Sequence, residues 1–185
     1  MPNIPTMIET TFNVIRSLND EKKPLIHIGE AMACWTYLAF VDEIIIYQEV
    51  GLNMTTDQEL HDMLEQGLEV AQAHKKQMTE FMQKEGLPLP DQPQPKSNSE
   101  PSAVPVGAKF TDNELSNAVS INFVIASNML AASASQCIRT DVGLMFLQFQ
   151  MDKVMMGFRM KNLMQKKGWL KIPPAYNPTG MLQQS

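Results

Sequence analysis

The sequence has little cysteine, no secretory leader and no long apolar run, and each absence excludes a class of protein. Its two cysteines, Cys34 and Cys137, lie far apart and outside any Cys-x-x-Cys motif, so we expect buried, reduced thiols. The N-terminal stretch lacks the basic and then apolar pattern of a secretory signal. No apolar run reaches the roughly 18 residues that a membrane helix needs. We therefore expect a cytoplasmic protein with no membrane partner.

Basic charge is also scarce. The chain has 15 Lys and Arg against 20 Asp and Glu, which gives a formal net charge of -5. Proteins that bind nucleic acid usually carry a basic patch that neutralises phosphates, so we expect no nucleic-acid partner. The sequence also lacks a phosphate-binding glycine loop and a Ser-His-Asp order. An enzyme is therefore less expected than a noncatalytic protein.

Helical periodicity is what the sequence has in quantity. Apolar residues recur at steps of three and four, and capping residues, Gly or Pro separate the runs. The pattern predicts a short N-terminal helix at about 6–18 and four long helices. We expect the long helices at about 25–50, from Thr55 or Thr56 to about 85, from Thr111 to about 138, and from Thr140 or Asp141 to Gly168. At 185 residues the chain fits one domain, 1–185.

Residues 86–110 contain six prolines and little that could form a core, so they are predicted to be a linker. At about 3.1 Å per residue such a segment spans more than 60 Å, which exceeds the length of a thirty-residue helix. One long crossover between two short turns is typical of a ferritin-like four-helix bundle. We therefore predict this all-α fold, followed by an extended tail at 169–185.

The same periodicity predicts which face of each helix is buried. In the second helix we expect an inner face of Leu60, Leu64, Gly67, Ala71, His74, Met78 and Phe81. In the third we expect Leu115, Ala118, Asn122, Ile125, Met129 and Ala132. In the fourth we expect Leu144, Leu147, Met151, Val154 and Phe158. The third and fourth helices are thus predicted to turn uncharged faces to the centre.

A ferritin-like di-iron site is not predicted. Such a site needs carboxylates from two helices and a Glu-x-x-His pair from each of the other two. The third helix has only one glutamate, Glu114, in its first turn, and the fourth has Asp141 and Asp152 but no histidine. Glu69 and His74 are five residues apart, which places them on different faces. Ferroxidase or oxygenase activity is therefore not expected.

A smaller site remains as an alternative. His27 and Glu30 are three residues apart on the first helix, and a simple antiparallel register places His74 opposite residue 32. These three side chains could hold one zinc, iron or manganese ion. A structural hydrogen bond between Glu30 and His74, with no cofactor, is the favoured interpretation because buried polar groups usually satisfy one another.

The chain contains 15 methionines, five of them at 151, 155, 156, 160 and 164. Core filling explains this spacing better than soft sulfur ligation of copper(I). Methionine also adapts to irregular partners, so a Met-rich face that forms a homodimer is a further expectation.

Five short strings carry a family resemblance. They are the Glu30 to Trp35 spacing in GEAMACW, AQAH around His74, the Pro-containing stretch after the second helix, RTDV at 139–142, and the ending KKGWLKIPP. In this order they resemble an uncharacterised family of spore-forming bacilli related to spore coat protein F. The resemblance implies a ferritin-like bundle, sometimes in two tandem copies, with no established catalytic residues. This chain has one copy.

Together these observations predict a noncatalytic structural or interaction protein of the spore-coat type. We expect a homodimer or another coat-type protein as its partner, in the cytoplasm or associated with the spore. A single-metal protein that uses His27, Glu30 and His74 is the alternative.

Overall fold

The computed structural model describes residues 23–174 and Tyr176, and within them the chain forms helices and no strands. The four long helices are α1 (Ile28–Leu52), α2 (Gln58–Lys84), α3 (Asp112–Gln136) and α4 (Thr140–Lys167). The predicted helix at 6–18 lies outside the described residues. The all-helical bundle predicted from the sequence is confirmed.

Capping side chains set where the helices begin. In α1 the cap is His27, and the helix begins at Ile28 rather than at about residue 25. In α2 the cap is Asp57, whose carboxylate accepts a hydrogen bond from the Leu60 amide at 3.0 Å, rather than Thr55 or Thr56. In α3 the cap is Thr111, in a capping box with Glu114, as predicted. Each cap satisfies amides that the first helical turn leaves without partners.

The helices form two antiparallel hairpins that pack on each other. α1 contacts α2 and α3, and α4 contacts α2 and α3. The crossover 85–111 returns along the bundle, because Asn53 at the end of α1 donates to the Ser97 carbonyl at 3.0 Å and accepts from the Ser99 amide at 2.8 Å. Thr55 then donates to the Asp112 carboxylate at the start of α3 at 2.7 Å. Consequently α3 runs parallel to α2.

The buried core consists of two apolar clusters. The first surrounds the start of α1 and includes Tyr37, Phe146 and Phe149. The second lies at the opposite end and includes Leu60 and Met160. In α4 the change from one cluster to the other occurs between Phe149 and Met156, where a buried lysine takes an inward position.

The inner faces predicted for α3 and α4 were wrong. The buried residues of α3 are Leu115, Ser116, Val119, Ser120, Phe123, Ala126 and Leu130. The buried residues of α4 are Val142, Met145, Phe146, Phe149, Lys153, Met156, Gly157, Met160 and Met164. Only Leu115 had been assigned correctly. Both helices carry apolar residues on two faces, so apolar spacing alone selected the outer one.

Candidate functional site

His27 and Glu30 are used to build helix ends. The Nδ1 atom of His27 accepts from the Gly29 amide at 3.0 Å and from the Glu30 amide at 3.3 Å. In return, Oε2 of Glu30 accepts from the His27 amide at 3.2 Å. Its other oxygen, Oε1, accepts from the amides of Ile138 and Arg139 at 2.8 and 2.7 Å. Both oxygens of this buried carboxylate therefore already have donors.

His74 lies at the centre of a separate polar network. Its Nδ1 lies 2.8 Å from the Tyr37 hydroxyl, and its Nε2 lies 3.1 Å from Oδ2 of Asp152. A carboxylate only accepts, so Nε2 carries the proton and Nδ1 accepts from the tyrosine. The imidazole also stacks on Phe149 with ring centroids 4.0 Å apart. Burial, and then the nearby Lys153 charge, lower the pKa of His74 to about 4.

The structure does not bring His74 together with the pair at the start of α1. Within the described residues, the one group of three candidate ligands whose atoms lie within 4.8 Å of one another is His61, Asp62 and Glu65, at the protein surface. His74 contacts Tyr37, about 7.5 Å farther along α1 than the predicted register placed it. The single-metal hypothesis stays a prediction, which metal analysis of the purified protein tests.

Lys153 places a charge in the bundle interior, where the sequence predicted uncharged faces. Its side chain is 1% exposed, and its Nζ atom has no hydrogen-bond partner. Burial lowers the pKa of the ammonium to about 8, and Asp152 partly offsets that effect. Lys153 and Gln48 line a small cavity of about 10 Å³, and the Gln48 carbonyl oxygen also lacks a partner. An unpaired donor and an unpaired acceptor thus belong to two residues that line the same small cavity.

The outer surface of α3 and α4 carries a broad apolar patch, which we name the α3–α4 apolar face. Its members are the exposed large hydrophobic residues of the two helices: Ile121, Val124, Ile125, Leu147, Met151, Met155 and Phe158. Met151 is 66% exposed and Ile121 is 58% exposed. No charged residue occurs between 115 and 138. The α3 half of this face therefore carries no charge, and an exposed apolar surface of this kind is typical of an interaction site.

One stretch that includes α3, Val106–Gln136, is long and apolar enough to cross a membrane by length and composition alone. Core helices of water-soluble bundles can meet the same condition, and the inner side of α3 packs on α1 and α4. The sequence expectation counted uninterrupted apolar runs, and serine and asparagine interrupt those of α3. The mean hydropathy of the stretch is nevertheless high enough to meet the condition.

Sequence reasoning identified His74 as a polar residue on an apolar stripe but did not find its partners. The hydrogen bond between the Tyr37 hydroxyl and His74 was not predicted. The contact of Asp152 with His74 and the inward position of Lys153 were not predicted, because their helix was assigned the wrong inner face. The signal that could have found Lys153 is its place four residues after Phe149 and three before Met156, within one helical stripe.

Comparisons with known proteins identify relatives of this chain. A family model described as protein of unknown function (DUF3231) matches residues 14–182. The uncharacterized protein YvdQ of Bacillus subtilis (strain 168) is 29% identical over 166 residues, which cover 88% of this chain and 95% of YvdQ. A crystal structure of a proposed spore coat protein from Bacillus halodurans C-125 has a TM-score of 0.80 at 32% identity, and covers 86% of this chain and 99% of that chain.

A second solved structure is more distant. It is a DUF305 fragment from Deinococcus radiodurans, with a TM-score of 0.63 at 14% identity, covering 77% of this chain and 99% of that chain. This likeness shows the fold alone.

Proposed function

Because the chain belongs to the DUF3231 family of proteins of unknown function, its role must follow from its own geometry, and we propose a noncatalytic structural protein that forms homodimers. In this proposal the α3–α4 apolar face is the interface between two copies. The bundle is a ferritin-like one that has lost its di-iron ligands, and the protein associates with the spore coat. The α3–α4 apolar face, whose α3 half carries no charge, is the observation that carries the proposal.

A second copy is the occupant that this face fits best. In a twofold dimer the same patch lies on both sides, so it must be compatible with itself. A charged patch would repel its own copy, whereas this face has no charge on its α3 half. Its seven large side chains present an exposed area on the order of several hundred Å². Each partner of a standard interface buries ~800 Å² of accessible surface, so these side chains could form the centre of such an interface.

A membrane surface is a poorer occupant. The formal net charge of -5 disfavours approach to an anionic bilayer.

The polar network at His74 supports a noncatalytic role. Both ring nitrogens already have partners, and Tyr37 is fully buried. A general base must reach a substrate proton within hydrogen-bond distance, which this arrangement does not offer. Its contacts instead join α1, α2 and α4 through one side chain.

Spore association rests on the relatives. The solved relative from Bacillus halodurans is a proposed spore coat protein, and it is covered almost completely by this chain. The ferritin-like assignment rests on topology, since one long crossover joins two antiparallel hairpins. Production of a tagged copy in a sporulating Bacillus, followed by extraction of the coat, tests the location. Recovery from the mother-cell cytosol alone would contradict it.

Light scattering coupled to size-exclusion chromatography tests the dimer. We expect the wild type to dimerise, and Met151→Glu and Ile125→Glu to weaken dimerisation at least tenfold, because each places a charge opposite its own copy. Met32→Glu is the matched control, since Met32 is 61% exposed on α1 and lies outside the face. All three sites are exposed, so folding should be preserved.

Three results would overturn the dimer. The wild type could be monomeric at high concentration, the two face variants could behave like Met32→Glu, or the wild type could float with phosphatidylcholine and phosphatidylglycerol vesicles through this face.

A further inference from the structure

A second exposed apolar surface lies at the start of α1, outside the α3–α4 apolar face. We name it the α1 end patch, and its members are Leu25, Ile28, Met32, Trp35 and Ile138. Ile28 is 87% exposed and Ile138 is 76% exposed. We propose that this patch binds the apolar residues of the segment 6–18 of the same chain. The contact goes beyond the proposed structural role and does not depend on the dimer.

The members of the α1 end patch lie together in the fold. Ile28, Met32 and Trp35 follow one another at steps of four and three, so they lie along one side of α1. The amide of Ile138 donates to Oε1 of Glu30 at 2.8 Å, which holds Ile138 beside the first turn of the same helix. No charged residue occurs between 31 and 41. An exposed apolar surface of this kind favours an apolar partner.

The segment 6–18 is joined to the bundle beside this patch. Lys23 is the first described residue, and its Nζ atom lies 2.9 Å from Oδ2 of Asp141 in the first turn of α4. Asp141 follows Ile138 by three residues, so the chain enters the bundle next to the patch. Residues 19–27 could extend about 30 Å. The patch spans only about 10 Å along α1, so the segment can reach all of it.

The segment has the apolar pattern that such a contact needs. Its apolar residues recur at steps of three and four, as one side of a helix requires. They are Ile8, Phe12, Ile15 and Leu18. None of these four positions carries a charge, and the patch that they would meet is apolar. The two surfaces therefore match in chemistry.

The covalent connection favours this segment over a second copy of the chain. A short tether holds a segment near its site at an effective concentration in the millimolar range. Free copies in a dilute solution are far less concentrated, so a contact that is weak between molecules forms readily within one. In the proposed dimer, this contact leaves the α3–α4 apolar face as the surface through which copies meet.

Quenching of Trp35 fluorescence by acrylamide tests the contact in the full chain. The chain has two tryptophans, so Trp169→Phe leaves Trp35 as a single reporter on the patch. In this reference protein, Phe12→Asp should raise the quenching constant of Trp35 at least twofold, because a charge on the apolar side of the segment weakens its binding. Thr10→Asp is the matched control. At helical spacing Thr10 falls opposite the apolar residues, so the constant should not change.

A substitution in the patch tests the other side of the contact. Met32→Glu should also raise the quenching constant of Trp35 at least twofold, while the dimer stays in place. Met151→Glu, which weakens the proposed dimer, should leave the quenching constant of Trp35 unchanged. The contact and the dimer can therefore fail separately.

The proposal is overturned if Phe12→Asp and Thr10→Asp give the same quenching constant, or if Met32→Glu behaves like the reference protein. It is also overturned if quenching in the reference protein weakens as the protein concentration rises, because a second copy would then cover the patch.

Discussion

The carboxylate of Glu30 accepts a hydrogen bond from the backbone amide of Arg139 at 2.7 Å, across 109 residues of sequence. The same carboxylate closes the capping box of α1, so it joins the starts of α1 and α4. Arg139 in turn binds Glu85 at the end of α2 through two bonds of 2.6 and 2.9 Å. This end of the bundle is therefore held by one connected set of charged hydrogen bonds.

Glu30→Gln should lower the free energy of unfolding by about 1–3 kcal/mol. Glutamine offers only one oxygen to the donors that the buried carboxylate now receives, and its NH₂ group faces other donors. Equilibrium denaturation in urea measures the loss. Glu43→Gln on the exposed side of α1 is the control and should change stability by less than about 0.5 kcal/mol. Equal effects of the two substitutions would show that Glu30 has no special structural role.

Acid should destabilise the protein through His74 before its carboxylates titrate. Burial lowers the pKa of His74 from 6.5 to about 4. Between these values the unfolded chain binds a proton that the folded protein does not, so the free energy of unfolding falls as the pH falls. From pH 6.5 to 5 the free energy of unfolding is expected to fall by about 2 kcal/mol. Denaturation midpoints at several pH values measure it.

His74→Gln supplies the control for the acid effect, because glutamine is neutral throughout this range. The variant should be less stable than the wild type at pH 7 but should show a flatter pH dependence between 6.5 and 5. Arg139 holds the pKa of Asp141 well below its usual range, so that carboxylate does not add to the slope there. An unchanged slope in His74→Gln would assign the effect to other groups.

Much of the fold could be predicted from the sequence because local signals agreed. The prolines of 86–110 gave the crossover, and Thr111 with Glu114 gave the start of α3. In α2 the predicted inner stripe is buried except at Phe81, which is half-buried while Met82 is buried. Charged residues such as Glu65 and Glu69 mark the outer side of that helix, which leaves one choice of face.

The inner face of α3 and the register of α1 on α2 could not be predicted in this way. Between 115 and 138 no charge marks the outer side of α3, so Ile125 and Phe123 are equally plausible as buried residues. The register depends on the geometry of the turn between Leu52 and Gln58, which apolar spacing does not determine. For the same reason the contact between Tyr37 and His74 was missed.

Lys153→Met should stabilise the protein at pH 7. Burial lowers the pKa of Lys153 from 10.5 to about 8, so below pH 8 the folded protein keeps a charge that the unfolded chain solvates better. The expected gain is about 3 kcal/mol, and it should shrink as the pH rises from 8 to 10.5, where the wild type regains stability. Thermal or urea denaturation at pH 7 and 10 measures both values.

Lys161→Met is the control for this effect because Lys161 lies on the same helix with an exposed side chain. It should change stability by less than about 0.5 kcal/mol at either pH. A Lys153→Met protein that is less stable than the wild type at pH 7 would mean that the buried ammonium has a stabilising partner.

The two thiols should react slowly in the folded protein although they belong to one apolar cluster. Burial, together with a smaller effect of nearby acidic groups, raises the pKa of Cys34 to about 12 and that of Cys137 to about 11. Since the thiolate is the reactive form, modification by a disulfide reagent at pH 8 should be at least about a hundredfold slower than in denaturant.

Cys137 should react first because it is less buried. Cys137→Ser should therefore remove the faster phase and leave the Cys34 phase unchanged, whereas loss of the slower phase would mean that the two thiols are accessible in the opposite order.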